Sequence, residues 1–98
     1  MTIAIDFDKT WTEDPELWRQ FAADALQRGH KVVMATGRES GSQNSDMGRY
    51  GITIPIVFCG GVAKRKACAA SGWKVDCWID DMPEMIGETL IIGNDEEL

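Results

Sequence analysis

Residues 3–10 read Ile3-Ala4-Ile5-Asp6-Phe7-Asp8-Lys9-Thr10. An apolar run over 3–7, broken only by Asp6, predicts a short buried strand whose end carries acids. A strand without polar alternation is covered on both faces, which is the habit of parallel sheets. The chain beyond it supports that reading. Asp14-Pro15 forms a helix start, an N-cap followed by proline at the first helical position. Leu17, Trp18, Phe21, Ala22, Ala25 and Leu26 then recur at helical spacing, and Gly29 closes the helix. Trp18 and Phe21 are read as core packing.

Residues 31–36, KVVMAT, predict a second buried strand ending in Thr36-Gly37-Arg38. The Ser-, Gly- and Asn-rich stretch 39–46 reads as a loop, with a short helix over 46–50. A third strand is expected over 54–58, with Pro55 suited to a strand start or edge. Gly60-Gly61 turns the chain into a small-residue helix over 63–71, which Gly72 ends. A fourth strand is expected over 75–79, ending in Asp80-Asp81, and a fifth over 89–92. The acidic tail 94–98 is expected to fray. Strands alternating with helices predict an α/β fold, a parallel sheet covered by helices on both faces. With 98 residues the expectation is one domain over 1–98.

Composition narrows the function. Apolar residues make up 44% and charged residues 27%, the proportions of a globular chain. A net charge of −6 disfavours general nucleic-acid binding, although Lys64-Arg65-Lys66 can build a local basic pocket. Cys59, Cys68 and Cys77 form no CxxC pair, so neither a disulfide framework nor a zinc site is suggested, and all three are read as buried thiols. No apolar run approaches a membrane span, and the first residues lack the pattern of a signal peptide, so the expected location is cytoplasmic with no membrane partner. His30, at a helix-to-strand turn, is read as a surface residue, and Trp11 and Trp73 as core.

In a parallel sheet, ligands bind beyond the carboxyl ends of the strands. Asp6, Asp8, Thr36, Asp80 and Asp81 all fall at that edge, and lysines follow the third strand. Acids gathered there repel one another unless a cation sits among them, and oxygen ligands suit a hard ion, magnesium above all.

In this order the motifs resemble the haloacid dehalogenase superfamily of phosphotransferases. The likeness rests on IAIDFDKT (3–10), VVMATGR (32–38), the lysine of GGVAKRKACAASG (60–72) and the acidic pair of WIDDMPE (78–84). It implies a three-layer Rossmann-like sheet of about five strands, and the missing insertions imply no cap domain. It also implies a magnesium-dependent phosphomonoester hydrolase. In that scheme Asp6 is the nucleophile that becomes an aspartyl-phosphate, and Asp8 is the general acid and base. Thr36 holds the phosphoryl group, and Lys64 neutralises Asp6 and the phosphate, with Lys66 as the competing lysine. Asp6, Asp8 (through its backbone carbonyl) and Asp81 bind magnesium, with Asp80 beside them or sharing ligation. Thr10, Thr36, Gly37, Arg38, Lys64 and Lys66 are the expected substrate contacts. The expected partner is a phosphorylated substrate, large or a nucleotide, because only residues 11–14 and 38–45 are available as small flaps. Self-association is left open. Two other readings stand beside this one: a non-catalytic metal-binding or regulatory module, and a nucleic-acid end phosphatase suggested by Arg38, Lys64, Arg65 and Lys66.

Overall fold

The computed structural model describes residues 1–87. The fold is α/β, with a four-stranded, all-parallel sheet: β1 (Thr2–Ile5), β2 (Lys31–Thr36), β3 (Ile56–Phe58) and β4 (Cys77–Ile79), in the order β3-β2-β1-β4. Helix α1 (Pro15–Gln27) links β1 to β2, and α2 (Lys64–Ala70) links β3 to β4. Short 3-10 segments cover Trp11–Glu13, Ser42–Tyr50 and Pro83–Met85. The expected strand over 89–92 and the tail over 94–98 lie outside the described residues.

Helix α1 begins as its sequence dictates. The Asp14 carboxylate accepts the Leu17 N–H at 3.1 Å, and Pro15 occupies the first turn, where its missing N–H costs nothing. Gly29, at φ 91°, ends it in a conformation that side chains resist. Side chains alternate along the central strands, as a pleated strand requires. Ile3, Ile5, Val32 and Met34 join Ala22 and Ala25 of α1 in one buried cluster. Ala4, Val33, Ala35 and Val57 join Cys68 of α2 in the other.

The outer strands are shorter than expected, for local reasons. Pro55 has no N–H to give, but its carbonyl accepts from Met34 at 2.8 Å, so the regular ladder of β3 starts at Ile56. At β4 the Asp76 side chain accepts the Thr2 N–H at 2.8 Å, and regular pairing begins only with Cys77. Strand β1 stops at Ile5, although the Asp6 N–H still donates to the Ile79 carbonyl at 2.9 Å. The Ser-rich connection is not plain loop up to residue 46: a 3-10 helix starts at Ser42, kinks at Asn44 and buries Met47.

Two side-chain readings need correction. Cys59 and Cys68 are buried, but Cys77 is exposed, because β4 has only β1 as a neighbour in the described sheet. Residues 11–14 are not a free flap. Trp11 is fully buried, and its indole N–H donates to the Tyr50 carbonyl at 2.9 Å. That contact makes the segment a pinned corner. Trp73 packs on the second cluster, as expected of a core residue. No described helix is long and apolar enough to cross a membrane.

Candidate functional site

The site is built where β1 and β4 end side by side. Asp6 follows β1 directly, and Asp80 and Asp81 follow β4. Because Ile5 pairs with Ile79, the register brings the two acidic ends together across the sheet. Lys64, the first residue of α2, reaches them from the next crossover. Its ammonium donates to Asp6 Oδ1 and to Asp80 Oδ2, both at 2.6 Å. Lys64 is only 3% exposed, so its charge is neutralised almost wholly by these two carboxylates.

Asp80 is fully engaged. Its side chain is 2% exposed, and its second oxygen accepts the Met82 N–H at 2.9 Å. Asp81 is exposed, and its Oδ1 lies 3.3 Å from the Thr10 hydroxyl, which also lies 3.2 Å from Asp6 Oδ2. One hydroxyl has one proton, so Thr10 shares it between the two acids. One oxygen from each of Asp6, Asp80 and Asp81 lies within 4.8 Å of the others.

Three carboxylates therefore face one ammonium. Burial pushes the Asp6 carboxyl up to about 6, against the lowering effect of the Lys64 hydrogen bond, and its contact with Asp81 adds to the rise. Asp81, at the open side, is held below the usual carboxylate range by that same contact. Burial works against the Lys64 ammonium, but its bonds to Asp6 and Asp80 outweigh it and leave its pKa raised. The donor set fits a hard cation. All its atoms are carboxylate oxygens within 4.8 Å of one another, and they carry excess negative charge.

These residues form the wall of a cavity of about 210 Å³ lined by Asp6, Asp8, Lys9, Gly37, Lys64, Asp80, Asp81, Met82 and Met85. Asp8 is thus at the same opening as Asp6. Its carboxylate is half exposed and is gripped at both oxygens by Arg38, Nε to Oδ2 at 3.0 Å and Nη2 to Oδ1 at 2.8 Å. The turn that delivers it is strained: Lys9 sits at φ 64°, a region that side chains seldom adopt.

Other expected residues are placed differently. Thr36 is fully buried at the end of β2, and its hydroxyl accepts the Arg38 N–H at 3.2 Å beside the cavity-lining Gly37. Lys66 is exposed and does not line the cavity. Arg65 lies over the Trp78 ring at 5.6 Å. Of the four basic residues that suggested a nucleic-acid end, Arg38 and Lys64 are thus held by carboxylates, Arg65 lies on an indole and Lys66 is exposed.

Sequence reasoning missed Met82, Met85, Lys9 and Asp46. The two methionines follow the acidic pair on either side of Pro83, a turn signal that can be read as returning the chain to the site. Asp46 has no such signal. It lies eight residues after Arg38 in a polar stretch, yet it binds that arginine through both oxygens, at 2.8 and 3.1 Å.

Comparisons with protein-family models, with curated proteins and with solved structures give no match.

Proposed function

We propose that the chain is a magnesium-dependent phosphomonoester hydrolase of the haloacid dehalogenase type, acting through an aspartyl-phosphate on Asp6. The observation that carries this reading is the buried Lys64 ammonium held between Asp6 and Asp80 by two 2.6 Å bonds, with Asp81 completing an oxygen cluster beside it. A structural ion pair needs one acid for one lysine. Three acids at a cavity mouth make sense as a cradle for cationic and phosphoryl charge.

Asp6, the Asp8 carbonyl and Asp81 would hold magnesium, which supplies positive charge to offset the repulsion between carboxylate and phosphate. Asp80, with both oxygens occupied, fixes Lys64. Lys64 orients Asp6 and stabilises the phosphoryl oxygens. In the first half-reaction an Asp6 oxygen bonds to phosphorus and the ester P–O bond breaks. The leaving oxygen takes the proton of the Asp8 carboxyl. In the second, a water oxygen bonds to phosphorus, the Asp6–phosphorus bond breaks, and Asp8 takes the water proton. Splitting hydrolysis in this way replaces one difficult step by two easier ones. Thr36, buried under the Arg38 amide, shapes the phosphate-binding turn at Gly37.

In this reading the two apolar clusters are the two interfaces of a three-layer sandwich, and residues 89–92 add the fifth strand. No cap is inserted between the motifs, so a large substrate or a second copy of the chain covers the cavity, or the enzyme is slow and unselective.

The test is hydrolysis of 4-nitrophenyl phosphate with magnesium, with chelator, and by Asp6→Asn. Turnover should require magnesium, vanish in Asp6→Asn, and leave acid-stable, hydroxylamine-labile phosphate on the wild-type chain. Full activity in metal-free buffer, or native-like turnover by Asp6→Asn, would exclude the mechanism.

A further inference from the structure

We infer that Asp46 is a positioning residue for catalysis, acting through Arg38 to fix the direction of the Asp8 carboxyl group. The inference rests on the phosphatase reading above and goes beyond it, since nothing in the motifs points to residue 46.

Asp8 needs an orienting partner. It sits on a strained turn at the cavity rim, and its side chain is 51% exposed. Arg38 supplies two parallel hydrogen bonds to it, the fork geometry that fixes both distance and plane. The fork takes two of the roughly four lone-pair positions of the carboxylate, leaving others for a proton in flight.

Arg38 is itself long and flexible, and holding it in one rotamer costs entropy. Two contacts remove that freedom. The guanidinium lies 5.0 Å above the centre of the buried Phe7 ring, and Asp46 grips it through Nη1 and Nη2. Asp46 is carried by the 3-10 segment Ser42–Tyr50, whose buried Met47 anchors it to the first core cluster. The chain of contacts therefore runs from the core through Asp46 and Arg38 to Asp8. Phe7 forms the floor of this arrangement and is covalently next to both Asp6 and Asp8.

A looser Asp8 harms proton transfer more than phosphate binding. That difference separates positioning from a merely structural role. The quantity kcat/KM reports steps up to formation of the phosphoenzyme, in which the leaving oxygen needs a proton only if it is a poor leaving group. For Asp46→Asn, kcat/KM should fall about 10²-fold with an alkyl phosphate, the scale expected for a displaced catalytic group. With 4-nitrophenyl phosphate, kcat/KM should change little. Arg38→Lys, which keeps the charge but lacks the fork, should steepen the same leaving-group dependence and serves if Asp46→Asn fails to fold. A uniform loss across the ester series, or a rise in KM with kcat unchanged, would overturn the inference and assign the pair to substrate binding or stability. Absence of turnover by the wild-type chain on every ester would instead remove the phosphatase reading itself, and the inference with it.

Discussion

Two lysines two positions apart, Lys64 and Lys66, competed for one role, and helix geometry separates them. Residues two apart on a helix point to different faces. Lys64 opens α2 and turns inward to two carboxylates, while Lys66 faces solvent. The sequence could rank them only by nearness to the Gly60-Gly61 turn, whereas the structure shows which of them reaches Asp6. It could not separate Asp80 from Asp81, because a strand end gives no rule for which of two consecutive acids faces a neighbouring helix. Lys64→Met should cut activity by about 10²–10³-fold, the usual loss when one preorganised donor is removed from a reacting centre. It should also destabilise the metal-free chain by about 3–5 kcal/mol, since two buried carboxylates lose their partner. Lys66→Met should leave both nearly unchanged. Turnover measured at equal folded concentration checks this, and a larger loss for Lys66→Met would reverse the assignment.

At the scale of elements, the central strands were legible and the connections were not. Nearly all residues of β1 and β2 are buried, so their sequences are largely unbroken apolar runs, which read as buried strands. The outer strands shorten at Pro55 and Asp76, where hydrogen bonding outside the regular ladder, not hydropathy, decides the boundary. The Trp11–Glu13 corner was the hardest to read, because a tryptophan in a polar turn suits a flap as well as a core. Its backbone shows which it is. The Trp11 N–H donates to the Asp6 carbonyl at 3.2 Å while its indole is buried and bonded to Tyr50. The corner thus fastens the chain immediately after β1. Trp11→Ala should cost about 3–5 kcal/mol, the usual loss for a large buried aromatic. Trp11→Phe should cost about 1–3 kcal/mol, because the Tyr50 carbonyl loses its 2.9 Å donor and keeps only the 3.5 Å contact from Arg19. Urea unfolding measures both, and a Trp11→Phe chain as stable as wild type would show that Arg19 or water takes over the indole's bond.

At the scale of the whole molecule, the strand order β3-β2-β1-β4 places β1 between β2 and β4. That order makes an acid cluster from residues more than seventy positions apart. Three carboxylates share one ammonium there, so their mutual repulsion works against the fold. If magnesium binds there, it must stabilise the fold by mass action, by about 2.7 kcal/mol at a hundred times its dissociation constant. For a chain of this length that corresponds to a rise in melting temperature on the order of 10 °C. The two acids after β4 should respond in opposite ways. Asp81 is exposed and, among the described residues, has only a shared hydroxyl as hydrogen-bond donor to its side chain, so Asp81→Asn should leave the metal-free melting temperature level or slightly higher and abolish most of the magnesium increment. Asp80 is buried against Lys64, so Asp80→Asn should lower the metal-free melting temperature and keep much of the increment. Calcium should restore little activity, since its longer bonds and looser shell suit an octahedral magnesium site poorly. Thermal melts of the three chains with chelator and across a magnesium titration decide the matter. An undiminished magnesium increment in Asp81→Asn would move the cation to Asp80, and no increment in the wild type would leave the acid cluster without a metal.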